Sequence, residues 1–119
     1  MSQKIFISQP MTGLSEEDIL KNRQAEIEAI HAWLEDSESI EIINNYVNLK
    51  YRNECESTFS HVVNWDIYWL SESLRKLSLS DVLWLGKGWE HSRGCKIEEM
   101  CAREYGIPII KSPREREGE

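Results

Sequence analysis

Apolar and polar positions change period along this chain, and the changes mark out alternating strands and helices. "KIFIS" (4–8) is a short strand candidate, closed by the turn residues of "QPMTG" (9–13). "SEED" (15–18) follows as a capping-box pattern, with Ser15 as N-cap and Asp18 placed to reach back. Ile19, Arg23, Ile27, Ile30 and Leu34 then recur at helical spacing, a largely apolar stripe to about Asp36. "SIEIIN" (39–44) reads as a second strand, and the polar, aromatic residues 45–60 as a long loop. Over 62–78 a helix is predicted, with Val63, Ile67, Leu70, Leu74 and Leu77 on one side. "DVLWLG" (81–86) is a continuous apolar run, the kind buried at the centre of a parallel sheet. A helix over 91–105 and a strand in "IPII" (107–110) complete the pattern. Residues 1–112 are read as one domain and 113–119 as a solvated, partly mobile tail.

The order β-α-β-α-β-α-β predicts an α/β fold, a small doubly wound parallel sheet of the Rossmann or flavodoxin kind with helices on both faces. Such sheets bind ligands at the carboxyl ends of their strands. That rule singles out residues 8–13, 44–46 and 86–94.

Composition narrows the function classes. The 119 residues suffice for one core and hardly for two. A net charge of −7 argues against a nucleic-acid polymer as partner, because such binders need a basic face. No apolar run is long enough to cross a bilayer, and no signal-peptide core precedes "KIFIS", so a cytoplasmic location is expected. Cys55, Cys95 and Cys101 are an odd set without paired spacing, which predicts neither a disulfide framework nor a zinc site.

The chemistry-bearing residues cluster in "GWEHSRGCKIEEMCAREYGIPII" (88–110). Ser92 is a candidate N-cap for the last helix. The N–H groups behind it, with Arg93 or Lys87 nearby, would make an anion site. Gly94 lets a ligand approach the backbone closely. Glu98 lies one turn further in, on the same face. There it is either a surface carboxylate paired with a cation or a nucleophile held against a phosphorylated sugar. Asp66 falls within the stripe of its helix and reads as a half-buried carboxyl group, either structural or moving a proton. Trp65, Trp69 and Trp89 are placed to stack on a nucleobase or to fill the core. Cys95 at a helix start is a candidate for a lowered pKa, with His91 one turn away. "GKGWEHSRG" lacks the ending of a Walker loop, and His31 reads as structural.

"KIFISQPMTG", "NWDI" and "GWEHSRGCKIEEMCAREYGIPII" together resemble the nucleoside 2-deoxyribosyltransferase superfamily. Within it they are most similar to a branch of small bacterial and phage-borne proteins carrying "GPMTG" and "GWExSxGAxxE". The resemblance covers both ends and the middle of the chain and little of 36–60. It implies cleavage or transfer at the N-glycosidic bond of a nucleoside or nucleoside 5′-monophosphate, with no metal or organic cofactor. Glu98, four residues after Gly94, matches the family's nucleophile. Asp66 matches the aspartate that deals with the base. Ser8, Gln9, Pro10, Met11 and Gly13 match the loop beside the sugar. Trp89, Ser92, Arg93 and Gly94 are the further binding residues expected. Serine at 92, where the classical transferases carry an acid, favours a 5′-phosphate. The first loop, however, lacks the basic residue of the nucleotide hydrolases. Relatives complete the pocket from a neighbouring subunit, so at least a homodimer is implied. Two rival readings keep the fold without the chemistry: a nucleotide-sensing module, and an interaction protein of a phage or prophage.

Overall fold

The computed structural model describes residues 2–34 and 39–116. Four parallel strands, β1 (Gln3–Ser8), β2 (Ile40–Ile42), β3 (Val82–Leu85) and β4 (Ile109–Lys111), form one sheet in the order β2-β1-β3-β4. Four helices connect them: α1 (Glu16–Trp33), α2 (Leu49–Thr58), α3 (Trp65–Leu77) and α4 (Arg93–Tyr105). The chain steps from β1 to β2 on one side, then crosses back to β3 and β4 on the other. Connections of one hand running in opposite directions put their helices on opposite faces, which makes the sheet doubly wound.

The two-residue period of the strands sorts the core. Ile5, Ile7, Val82 and Trp84 face one way, packing with Ile30 and Ile27 of α1. Phe6, Leu83 and Leu85 face the other way, packing with Leu74 and Leu77 of α3 and Ala102 of α4. Both central strands are covered on both faces, as their unbroken apolar runs predict.

Helix ends follow local chemistry. Ser15 caps α1 by accepting from Asp18 N (3.1 Å), and Leu34 closes it by donating its N–H to Ile30 O. The expected continuation to Asp36 lies outside the described residues. Gly106 ends α4 at φ +79°, the left-handed conformation that glycine adopts without strain.

Three expectations need correction. Residues 45–60 are not a loop throughout, because α2 occupies Leu49–Thr58, with Asn48 as N-cap accepting from Tyr51 N (2.8 Å). Its one fully buried side chain is Cys55, so no apolar stripe announces it. The helix expected from 62 begins at Trp65, capped by Asn64, and its predicted stripe is buried only at the far end. Val63 is 97% exposed and Ile67 63%, while Leu77 is 2%. The first turn of α3 is solvent-facing, with Asp66 exposed as well as Ile67. Lastly, the tail expected to be solvated from 113 onward is half-buried at Pro113 and Arg114. Pro113–Arg116 form a 3₁₀ turn, Ser112 is buried, and Arg114 pairs with Glu26 of α1 at 2.6 Å.

Gly86 closes the sheet's carboxyl edge. Its N–H donates to Ser8 O (2.7 Å), and a Cβ there would meet Ser8 O at 3.1 Å and Glu26 Oε2 at 3.2 Å. Neither neighbour can yield, since one is strand backbone and the other is held by two donors, Lys87 N and Arg114 Nη1. Gly86→Ala is therefore expected to cost about 1–3 kcal/mol by overpacking. Urea unfolding checks this, and an unchanged midpoint would show that the edge relaxes freely.

Candidate active site

The switch point of the sheet lies between β1 and β3, and the carboxyl ends of these strands open into a cavity of about 500 Å³. All three segments singled out from strand order contribute to it. Ser8, Gln9, Met11 and Thr12 come from the first loop, Asn45 from the second, and Ser92, Arg93 and Gly94 from the third. Asn45 is set by its own bonds, donating to Ile7 O (2.8 Å) and accepting from Arg23 (2.9 Å).

Glu98 is on the cavity wall and only 6% exposed. Its Oε1 accepts from Ser8 Oγ at 2.6 Å and its Oε2 from Ser73 Oγ at 2.6 Å. The surface-carboxylate reading is thus excluded. Burial pushes the Glu98 carboxyl above its usual range, and the Ser73 and Ser8 hydroxyls pull it partway back by favouring the charged form. Ser92 caps α4, accepting from Cys95 N at 3.4 Å. A Cβ on Gly94 would meet nothing within 4 Å, so the backbone at the start of α4 faces open space.

Asp66 departs from its expected setting. It lines the cavity but is not half-buried: its side chain is 78% exposed and 3.6 Å from Arg93, itself 81% exposed. It occupies the exposed first turn of α3, so helical spacing alone misplaced it. Cys95 is buried, and burial raises its thiol pKa, the reverse of the activation expected at a helix start.

Pro10, Gly13 and Trp89 do not line the cavity. Pro10 lies against Gly88, 3.5 Å from where a Cβ there would sit, and Gly13 turns the first loop at φ +80°. Trp89 packs on the core around Phe6 and Leu85, with Lys111 Nζ 5.7 Å from its ring centroid. Trp69 is in the cavity wall, next to Trp65 and under the guanidinium of Arg52.

Sequence reasoning missed Ser73, Arg52, Lys76 and Glu26. A signal for Ser73 existed: a hydroxyl three residues after Leu70 and four before Leu77 falls in the buried stripe. Arg52 and Lys76 bring cations to the cavity from α2 and α3. Glu26, 1% exposed, stands behind the site, accepting from Trp84 Nε1 (3.0 Å), Lys87 N (2.9 Å) and Arg114 Nη1 (2.6 Å). It thereby ties the loop that leads to Ser92 onto α1.

No group of three or more histidine, cysteine or acidic side chains is arranged to hold a metal among the described residues. No described helix is long and apolar enough to cross a membrane. No family model, curated protein or solved structure matches the chain.

Proposed function

We propose that this protein cleaves or transfers at the N-glycosidic bond of a nucleoside or nucleoside 5′-monophosphate, with Glu98 as nucleophile. The observation that carries the proposal is the Glu98 carboxylate. It is buried at the switch point, gripped at each oxygen by a serine hydroxyl, and set in a cavity of nucleotide size. A buried carboxyl group held by two hydroxyl donors, with no cation paired to it among the described residues, suits a group that must attack an electrophilic carbon. C1′ of the sugar would bond to Glu98, the base would leave, and water or a second base would resolve the glycosyl-enzyme with net retention. Asp66, at the rim, is placed to assist the departing base. The resemblance in "KIFISQPMTG" and "GWEHSRGCKIEE" points to the same bond and the same glutamate.

The start of α4 fits a 5′-phosphate, with Ser92, the open backbone at Gly94 and Arg93 together. Arg52 and Lys76 supply the cations that the first loop lacks. The free thiols of Cys55, Cys95 and Cys101 fit a reducing compartment such as the cytoplasm. Val63 and Ile67, apolar and exposed beside the mouth, fit contact with a second copy.

Incubation with a panel of nucleosides and monophosphates, with chromatography for free base and mass spectrometry for a sugar adduct on Glu98, tests the reaction. Binding without base release would favour a sensing module instead. Ser92→Asp is expected to move preference from the monophosphate toward the free nucleoside by about twofold to thirtyfold in kcat/KM, since it sets a carboxylate against the phosphate. An unmoved ratio would take Ser92 away from the 5′ position.

A further inference from the structure

The two oxygens of Glu98 have different surroundings. Oε1 meets Ser8 in a fully buried contact at the end of β1, where Ser8 is 1% exposed. Oε2 meets Ser73 in a partly buried contact, and Ser73 itself lines the cavity from α3. Both serines line the cavity, and the Oε2 contact is the less buried of the two. Ser8 anchors the carboxylate to the sheet, while Ser73 holds it from α3.

We propose that Ser73 is a positioning residue for Glu98: its hydroxyl holds Oε2 as a charged oxygen in the resting site, gives it up when that oxygen bonds to the sugar, and takes it back when the bond breaks. The proposal rests on the glycosyl-transfer reading. In the first step an Oε2 lone pair forms the bond to C1′, and the C1′–N pair leaves with the base, which takes a proton from solvent. An ester oxygen is a poor acceptor, so the Ser73 hydroxyl is released. In the second step water bonds to C1′, the C1′–Oε2 pair returns to Oε2, and the water gives a proton to solvent. Ser73 then donates to the departing carboxylate, and a hydrogen bond to a charged oxygen is the stronger kind. Its help therefore falls mainly on breakdown of the glycosyl-enzyme.

Other groups face Glu98 as well. The buried Cys95 thiol is on its own helix, next to Ser8 and Ser92. The charged side chains on the cavity wall are Arg93 of α4, Asp66, Glu72 and Lys76 of α3, and Arg52 of α2. None of them makes the short contact to Oε2 that Ser73 makes.

Titration of the full chain by carbon NMR of labelled glutamate carboxyl groups gives a direct test, with Glu98→Gln identifying the resonance. Ser73→Ala is expected to raise the Glu98 midpoint by about one to two pH units, the equivalent of one hydrogen bond to a charged group. Ser73→Thr is expected to restore it. Ser71→Ala, which removes a hydroxyl that donates to Tyr68 O on the same helix, is expected to leave it in place. In turnover, Ser73→Ala is expected to lower kcat by about tenfold to a hundredfold and kcat/KM much less, with glycosyl-enzyme accumulating. A midpoint unmoved in Ser73→Ala, or moved as far in Ser71→Ala, overturns the proposal, as does an equal fall in kcat and kcat/KM. A wild type that releases no base overturns the glycosyl-transfer reading, and the titration then decides the hold of Ser73 on Glu98 by itself.

Discussion

Glu98→Ala is expected to abolish base release, by a factor on the order of 10⁴ or more, while the chain keeps its native circular dichroism. Among the described residues no other carboxylate on the cavity wall is placed to substitute. Asp66 is exposed at the rim, and Glu72, though on the wall, has its carboxylate 3.2 Å from Arg75. Stability should move the other way in the isosteric variant. Because burial raises the Glu98 pKa, the folded chain binds this proton more tightly than the unfolded chain does. Stability therefore falls as pH rises from the ordinary carboxylate range through the folded value, and stays lower above it. Glu98→Gln removes that slope and is expected to melt above the wild type at pH 7. Base release at the wild-type rate in either variant would end the mechanism. A lower Tm in Glu98→Gln would mean that the serine contacts outweigh the cost of burying the charge.

Glu26→Ala is expected to cause the largest loss of stability, about 3–5 kcal/mol, as for other buried pairs deprived of one partner. One carboxylate accepts from the Trp84 indole, the Lys87 N–H and the Arg114 guanidinium, and alanine takes that acceptor from all three. Against a domain stability of about 5–15 kcal/mol that is a large fraction. Arg114→Ala should cost a comparable amount, because it leaves a carboxylate that is 1% exposed without its cation. Glu26→Gln keeps an acceptor and should lose less. Urea midpoints order the three, and a Glu26→Ala midpoint equal to the wild type would remove the latch from any account of stability.

The sheet was legible in the sequence because its strands are short, apolar and set off by turn residues. The period switched cleanly between "KIFIS" and the α1 stripe, and strand order alone pointed to the three loops that meet at the cavity. What escaped was tertiary in origin. α2 buries little, so it has no period to detect. Asp66 and Ile67 satisfy the spacing of a buried face, yet that face is exposed in its first turn. Glu26 was passed over because a lone acid in an apolar stripe has meaning only when its cation is known, and Arg114 is 88 residues away. Ser73 carried a faint version of the same signal.

The two outer strands, β2 and β4, are three residues each. Strands so short offer a few backbone donors and acceptors at most, too few to template the pairing of another chain. Growth of the sheet from one molecule into the next is therefore disfavoured at both margins. Copies of this protein that associate would then have to meet through helices and side chains rather than through a shared sheet.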